Sequence, residues 1–227
     1  MVVEMDSRLS AFDLHSHTLH SKDGLNRGRY LFKWMKKKGL RGMALTEHWS
    51  PSITKPIVHD GRFLLNGCEF KTTDYGELIG LFVTDTIENR SFVEVAEDIH
   101  EQNGLTILPH PRDPTRKHTA VRRGLPDELI SKHVDLIEGI NSRCLLPIFN
   151  TWAQKLAEKL KKPVTAGSDA HSWLEIGHAR TYLQDIETVS DIYDRLKKGQ
   201  TQISGYPSFF WVHIPTMIWQ RIRKLAK

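Results

Sequence analysis

Metal-ligand side chains recur at the ends of short apolar runs, and this pattern constrains the fold of the chain more than any other feature. The first case is His15-Ser16-His17, which follows Phe12-Asp13-Leu14. Alternate residues of a strand point to the same side, so both imidazoles face one way. Four similar clusters follow, at residues 46–48, 67–69, 110–111 and 167–171. Imidazoles mixed with carboxylates suit Zn²⁺, Mn²⁺ or Fe²⁺, so the series predicts a catalytic centre with several metal ions.

Between these clusters, β-rich runs alternate with stretches of helical periodicity. Strands are predicted to end near His17, His48, Glu69, Val83, His110, Asn141 and Asp169. Apolar residues with helical spacing predict helices around Leu31, Phe92, Trp152 and Val189, the last with Thr188 or Ser190 as its N-cap. Alternation of this kind favours a parallel sheet with helices outside it.

The ligand residues lie at the ends of five or six different strands, and only a closed barrel brings so many strand ends around one point. The chain contains no GxGxxG and no GxxxxGK[ST] motif, which are typical of open nucleotide-binding sheets. We therefore expect a single-domain α/β barrel over residues 1–204. Residues 205–227 are predicted to form a basic amphipathic tail packed on the barrel, because Ile218, Ile222 and Leu225 align on one helical face.

Composition places few limits on function. The chain has 227 residues and a net charge of +5, which modestly favours an anionic substrate. Cys68 and Cys144 form no disulfide framework, no apolar run is long enough to span a bilayer, and the first residues do not read as a secretory signal. These features predict a cytoplasmic protein without a transmembrane segment, and they leave its oligomeric state open.

The ordered motifs resemble those of the PHP (polymerase and histidinol phosphatase) family, from about residue 11 to residue 183. The matching strings are Asp13-Leu14-His15-Ser16-His17-Thr18, Asp23-Gly24, Leu45-Thr46-Glu47-His48, Gly67-Cys68-Glu69, Pro109-His110-Pro111, Glu138-Gly139-Ile140-Asn141-Ser142-Arg143 and Ala166-Gly167-Ser168-Asp169-Ala170-His171. The resemblance implies a distorted TIM-like (β/α)7 barrel. It also implies two or three divalent ions (Zn, Mn or Fe) and hydrolysis of phosphoesters.

Carried over residue by residue, the resemblance implies three metal positions. The first is surrounded by His15, His17, Glu69 and Asp169. Glu69 bridges to a second position, which His110 also holds. The third is held by Asp23, His48 and His171. Asn141 is the ninth predicted ligand: it stands where several relatives carry a histidine ligand to the second metal, although its amide oxygen is a poorer ligand for zinc-like ions.

A phosphoester resists hydrolysis because both nucleophile and substrate are anionic, and neighbouring metal ions relieve that repulsion. We therefore expect attack of metal-bound hydroxide on phosphorus. His171 or His178 is expected to assist proton transfer to the leaving group. Arginines that follow the motifs, Arg112, Arg143 and Arg180, are candidates for contacting the substrate phosphate, and Arg143 is also a candidate catalytic residue.

Three functions fit these residues. The leading one is a phosphoesterase acting on a small phosphorylated metabolite or nucleotide. A nuclease that trims short oligonucleotides is the second, favoured by the basic residues of 112–123. The third is a catalytically weak metal-binding regulatory module, which Asn141 favours. A metal amidohydrolase also uses HxH on a barrel strand, but Glu69 and the Asp169-Ala170-His171 pairing disfavour it.

Overall fold

The computed structural model describes residues 9–208 together with Trp211, Thr216, Ile218 and Trp219. Its ten strands are β1 Leu9–Asp13, β2 Gly42–His48, β3 Ile57–His59, β4 Arg62–Lys71, β5 Glu77–Leu81, β6 Leu105–Leu108, β7 Leu136–Asn141, β8 Val164–Gly167, β9 Ala179–Gln184 and β10 Gln202–Gly205. Its α-helices are α1 Leu31–Lys38, α2 Phe92–Glu101, α3 Ala120–Arg123, α4 Asp127–His133, α5 Pro147–Leu160 and α6 Val189–Lys197.

All ten strands belong to one sheet, in the order β10-β9-β1-β2-β4-β5-β6-β7-β8, with β3 paired to β4 outside this path. Strands β1, β2 and β4 are mutually parallel, as are β6, β7 and β8. Strand β5 is antiparallel to both β4 and β6, so the two parallel groups point the same way. The carboxyl ends of six strands therefore meet at one rim, where the predicted ligands lie.

The predicted single-domain α/β barrel is confirmed, although its sheet is not uniformly parallel. The strand predicted to end near Val83 is β5, which runs antiparallel to its neighbours. Strand β9 is antiparallel to both β1 and β10. Parallel and antiparallel strands share a side-chain period of two, so the pattern of apolar residues alone does not distinguish them.

Two of the predicted helices, α2 and α6, begin at residues whose side chains cap them. Ser91 and Glu94 form a capping box at α2. Thr188 caps α6 by accepting a hydrogen bond from the amide of Asp191, so Thr188 rather than Ser190 is the N-cap. Helix α1 ends at Gly39, whose φ of 66° lies in the left-handed region that glycine adopts without strain.

Apolar residues fill the barrel below the ligand-bearing rim. Strand β4 shows the alternation, because Leu65 faces the interior with Glu69, whereas Leu64 packs with the outer helix α1. The interior cluster includes Phe12, Ala44, Leu65, Ile79, Ile107 and Leu136, and α6 adds Ile192 and Leu196. Helices α2, α4 and α5 cover the opposite face of the sheet.

The sheet ends at β8 on one side and β10 on the other, so its hydrogen-bonded ladder is not a complete ring. Threonine hydroxyls from neighbouring segments contact the outer edge of β8. Thr181 Oγ1 accepts a hydrogen bond from the Ala166 amide at 2.8 Å and donates to the Ala166 carbonyl at 3.0 Å. Thr201 Oγ1 donates to the Val164 carbonyl at 2.7 Å. Side chains thus bond the backbone groups of β8 where a further strand would pair.

The predicted tail lies mostly outside the described residues, including Ile222 and Leu225 of its apolar stripe. Of the part described, Thr216 is buried, and its hydroxyl accepts a 3.5 Å hydrogen bond from Arg143. The packing of residues 205–227 on the barrel stays a prediction. Within the described ranges, none of the helices has the length and apolar character needed to cross a membrane.

Candidate metal centre

The centre begins with His15 and His17, which continue β1 beyond its last ladder pair. The amide of His17 donates to the Ala170 carbonyl and the amide of Asp169 to the His15 carbonyl, at 2.9 and 2.8 Å. These two backbone bonds join the end of β1 to the segment that follows β8. They hold His15 and His17 beside Asp169.

Asp169 and Glu69 provide the carboxylates around which the imidazoles gather. Asp169 Oδ1 lies 3.3 Å from His17 Nε2 and 3.7 Å from His15 Nε2. Glu69 Oε1 lies 3.1 Å from His110 Nε2, and its Oε2 lies 3.1 Å from His48 Nδ1. Glu69 therefore lies between two separate groups of imidazoles, as the predicted bridging residue would.

Asp23 completes the opposite side of the centre. Its Oδ2 lies 3.3 Å from His171 Nε2 and 3.5 Å from His48 Nε2. The His17 ring has its centroid 4.4 Å from that of His48 and 4.3 Å from that of His171. Eight of the nine predicted ligands thus come together at one rim, and only Asn141 is engaged differently.

The residues fit divalent cations. Three overlapping groups each place their ligand atoms within 4.8 Å of one another: His15, His17 and Asp169; His15, Glu69 and His110; and His17, His48 and His171. His15 Nε2 and His17 Nε2 are buried, and neither has a hydrogen-bond partner among the described residues. Buried polar atoms are seldom left unpaired, so both nitrogens point to a ligand between them. The donor set of imidazole and carboxylate, without thiolate, suits Zn, Mn or Fe.

The charges around the centre also favour cations. Burial raises the pKa of Glu69, but His15 and His110 together hold that pKa well below its usual value. Burial likewise raises the pKa of Asp169, but Arg116 and His15 together hold that pKa well below its usual value. Burial, together with His171 and His48, lowers the pKa of His17 to about 4. The carboxylates are therefore ionised at neutral pH, and His17 offers a neutral imidazole, as metal ligation requires.

Two of the predicted ligands occupy backbone conformations that are uncommon for residues other than glycine. The φ of His110 is 30° and that of Asp169 is 55°. Such conformations cost about 1–3 kcal/mol each and cluster at functional sites. Nearby, a Cβ on Gly167 would lie 2.2 Å from the Cβ of His15. Only glycine at this position lets β8 approach the first histidine so closely.

Glu138 supports the centre, a role that the sequence did not reveal although the residue begins a matched string. Its Oε1 lies 2.9 Å from His15 Nδ1, and its Oε2 accepts a 2.7 Å hydrogen bond from the His110 amide. A carboxylate at Nδ1 fixes the ring so that Nε2 faces the centre, an arrangement common among metal-binding histidines. Glu138 therefore orients the side chain of one predicted ligand and the backbone of another.

Arg116 is the second residue of the centre that the sequence did not reveal, because the position of its side chain depends on the path of a loop. Its guanidinium donates to Asp169 Oδ2 at 2.7 Å and to Asn141 Oδ1 at 3.2 Å. The Arg143 amide also donates to Asn141 Oδ1, at 2.8 Å, while Asn141 Nδ2 donates to Glu138 and Asp169. The oxygen predicted as a metal ligand is thus occupied by two donors.

The remaining predicted residues divide into two sets. Arg143 lines the mouth, a cleft of about 380 Å³ above the centre, and its Nη1 lies 3.4 Å from Glu175 Oε1. His178, Arg112 and Arg180 are not among the described residues that line this cleft. His178 Nδ1 pairs with the Ser208 hydroxyl at 2.9 Å. The Arg180 guanidinium donates to the carbonyls of Gly177 and Lys38, both at 2.9 Å.

The basic loop of residues 112–123 reaches the metal centre. The residues that line the mouth include Thr115, Arg116, Lys117 and His118 from this loop, together with Asp23 and His48. Glu77 also lines it, and burial together with the nearby Glu69 carboxylate raises the pKa of Glu77 to about 7. The mouth therefore combines carboxylates of the centre with basic side chains from this loop.

The fold and its residues define an α/β barrel with a candidate multinuclear metal centre at the carboxyl ends of its parallel strands. Residues 147–201 match the family model described as PHP-associated (PHP_C). The uncharacterized protein MJ0417 of Methanocaldococcus jannaschii is 36% identical over 169 residues, covering 74% of this chain and 68% of that protein. MJ1587 of the same organism is 33% identical over 145 residues, covering 57% and 81%. The chain belongs to the PHP family.

Solved structures share the fold at lower identity. PsfC from Pseudomonas syringae superposes with a TM-score of 0.66 at 18% identity, covering 96% of this chain and 99% of that one. A candidate metal-dependent phosphoesterase from Bifidobacterium adolescentis gives 0.59 at 18% identity, covering 81% and 96%. The lesion-specific endonuclease Q of Pyrococcus furiosus gives 0.62 at 17% identity, covering 86% of this chain and 57% of that enzyme.

Proposed function

We propose that this protein is a metal-dependent phosphoesterase. The observation that carries the proposal is the set of three overlapping ligand groups, which share His15 and His17 and lie beneath an open mouth. The ions would be held by His15, His17, Asp23, His48, Glu69, His110, Asp169 and His171. When bound, they supply Lewis-acid polarisation of the phosphoryl oxygens and lower the pKa of a coordinated water.

The protein's own residues bind and orient the phosphate. Arg143, one of the three predicted arginines, and Arg116 are the described arginines that line the mouth, so in this proposal they contact the phosphoryl group and Arg112 and Arg180 do not. In this proposal Asn141 positions these two arginines through its amide oxygen and is not a metal ligand.

Of the two histidines considered for proton transfer, His171 is the one that lines the mouth. Its Nδ1 lies 2.8 Å from the Asp169 carbonyl, which only accepts, so Nδ1 carries the proton. Nε2, 3.3 Å from Asp23 Oδ2, is left to bind an ion or to carry a proton. His171 Nε2 can therefore fill either of the two predicted roles, but not both at once.

The substrate is proposed to be a phosphorylated nucleotide or a short oligonucleotide. The basic side chains of Arg116 and Lys117 at the mouth support an extended anionic substrate, and the similarity to endonuclease Q supports a nucleic acid. We also propose a cytoplasmic location, because Cys68 and Cys144 are both buried free thiols.

The test is hydrolysis of p-nitrophenyl phosphate and bis-p-nitrophenyl phosphate by metal-stripped protein reloaded with Mn²⁺ or Zn²⁺. His17→Ala should reduce turnover to that of the metal-free protein, with fewer bound ions by mass spectrometry. His59→Ala is the matched control, since that side chain is 62% exposed outside the centre. Protein that retains its ions and hydrolyses no phosphoester would favour the binding-module alternative.

A further inference from the structure

A second cleft adjoins the metal centre, and neither the motifs nor the proposed chemistry uses it. This aromatic cleft has a volume of about 370 Å³ and is lined mainly by Leu25, Arg27, Tyr30, Trp34, Trp173 and Leu174. Its volume falls within the roughly 300–1,000 Å³ of clefts that hold small ligands or parts of larger ones.

The aromatic cleft is built from the same two segments that deliver metal-centre residues. Leu25 follows Asp23 by two residues, and Trp173 follows His171 by two. The Leu25 amide donates to the His171 carbonyl at 2.6 Å, which holds the two segments side by side. A ligand in this cleft would therefore lie next to Asp23 and His171, two of the residues predicted to hold the third metal ion.

The walls of the cleft are flat aromatic surfaces that remain in contact with solvent. The Trp34 and Trp173 rings stack with their centroids 4.6 Å apart and their planes 11° from parallel. Trp173 is nevertheless 44% exposed and Tyr30 is 42% exposed. Large aromatic side chains that serve only as core filling are buried, whereas these present ring surface at the cleft.

Positive charges surround these rings. The Lys37 Nζ lies 5.3 Å from the Trp34 centroid, and the Arg29 guanidinium lies 4.7 Å from the Tyr30 centroid. Lys33 Nζ lies 6.0 Å from Trp34, and Arg27 lines the cleft. None of the described residues that line it carries a carboxylate. Exposed aromatic faces interleaved with cations are the combination that binds bases and phosphates of single-stranded nucleic acid.

We propose that the aromatic cleft stacks a nucleobase of a single-stranded polynucleotide while a neighbouring phosphodiester lies at the metal centre. This inference rests on the proposed phosphoesterase function and narrows its substrate to single strands. A duplex would bind less well, because its bases are already stacked inside the helix. The lysines and arginines around the cleft would contact the flanking phosphates.

The test measures binding separately from turnover. Fluorescence anisotropy measures how metal-loaded protein binds labelled single strands of ten nucleotides with phosphorothioate linkages. One strand is made of deoxythymidine and the other of uridine. Stacking of one base on an aromatic side chain is worth about 1–3 kcal/mol, so Trp173→Ala should weaken binding by about 5- to 150-fold. Trp173→Phe, which keeps a stacking surface, should retain most of the affinity.

Trp152→Ala is the matched control, because Trp152 is also 44% exposed but lies on α5, outside the cleft. It should bind single strands as the wild type does. The double variant Lys33→Gln/Lys37→Gln should reduce the salt dependence of binding, by about 0.7 in the log–log slope for each phosphate that the protein no longer neutralises. Comparison of the affinities for the deoxythymidine and uridine strands then shows whether the sugar affects binding.

The outcomes separate the inference from the function on which it rests. The proposed role of the aromatic cleft is overturned if wild-type protein hydrolyses the p-nitrophenyl esters but binds single strands no better than duplex. Equal loss of affinity in Trp173→Ala and Trp152→Ala overturns it as well. Protein that binds single strands through Trp173 and hydrolyses no phosphoester contradicts the proposed function alone.

Discussion

The inside of the barrel consists of two layers with opposite chemistry, built from the same strands. The lower layer is apolar and fully buried, with Phe12, Leu65, Ile79, Ile107 and Leu136 at its centre. The upper layer is equally buried but polar, with His15, His17, Glu69, Glu138 and Asp169. Within β4 the change from one layer to the other takes four residues, from Leu65 to Glu69.

This difference indicates that the two layers along each strand have different roles. Burying apolar surface stabilises the fold, whereas burying charges costs free energy unless partners compensate. In the upper layer the compensation is mutual, since each carboxylate there lies beside an imidazole or a guanidinium. We therefore expect the lower layer to govern unfolding and the upper layer to govern metal binding.

The largest expected effect lies in the lower layer. Leu65→Ala removes a fully buried side chain and leaves a cavity, which should lower the free energy of unfolding by about 2–5 kcal/mol. Metal content of the folded protein should be unchanged. Denaturant unfolding and metal analysis check both points, with Leu146→Ala as control because that side chain is 53% exposed. Loss of bound metal in folded Leu65→Ala would contradict the division between layers.

The next effect lies in the upper layer. Glu138→Gln keeps the shape of the side chain but removes the carboxylate that lies 2.9 Å from His15 Nδ1. Loss of such a supporting carboxylate typically weakens metal binding about 10- to 100-fold. Competition with a chelator measures this affinity, with Glu128→Gln on the exposed surface of α4 as control. Unchanged metal affinity in Glu138→Gln would show that the ligands hold their positions without it.

The smallest effect concerns a charged pair that has no part in the metal centre. His100 Nε2 lies 2.9 Å from Asp135 Oδ2, and Asp135 also accepts a hydrogen bond from the Thr106 amide of β6. The hydrogen bond that His100 donates to the Asp135 carboxylate raises the pKa of His100 above its usual 6.5. Burial raises the pKa of Asp135, but the bond from His100 outweighs it and lowers that pKa below 3.8.

The pH dependence follows from these two directions. The contribution of His100 is complete below pH 6.5 and is lost as pH rises through its raised folded-state pKa. The contribution of Asp135 is present above pH 3.8 and is lost as pH falls through its lowered pKa. Asp135→Asn should therefore destabilise most between about pH 4 and 6.5, by less than about 1 kcal/mol because the His100 side chain is 39% exposed and that of Asp135 is 35% exposed.

Thermal unfolding across this pH range measures the effect of Asp135→Asn. The matched control is Asp60→Asn, because His59 and Asp60 form a similar pair, 3.6 Å apart, that is largely exposed. That control should leave the pH profile unchanged. A constant difference between wild type and Asp135→Asn at every pH would mean that the pair does not titrate as described.

The upper layer could be predicted from sequence because its residue types are rare at strand ends and occur in a fixed order. His15, His17, Glu69 and His110 were each placed by a short motif at the end of an apolar run. The barrel followed from the same pattern, because a sheet that curls into a nearly closed barrel brings these strand ends together.

Other features depend on contacts between distant residues, which no local pattern records. The direction of β5 is set by its pairing with β4 and β6, and an antiparallel strand has the same period as a parallel one. Arg116 reaches Asp169 across 53 positions of the chain, through a loop without periodicity. The cleft around Trp34 and Trp173 likewise joins a helix to a distant loop.

The threonine hydroxyls along β8 have a consequence for how the protein behaves at high concentration. An edge strand with free amide and carbonyl groups can add a strand from another molecule, which leads to aggregation. Here Thr181 bonds both backbone groups of Ala166, and Thr201 bonds the Val164 carbonyl. The open seam of the barrel is therefore protected against intermolecular strand addition, although its backbone ladder is incomplete.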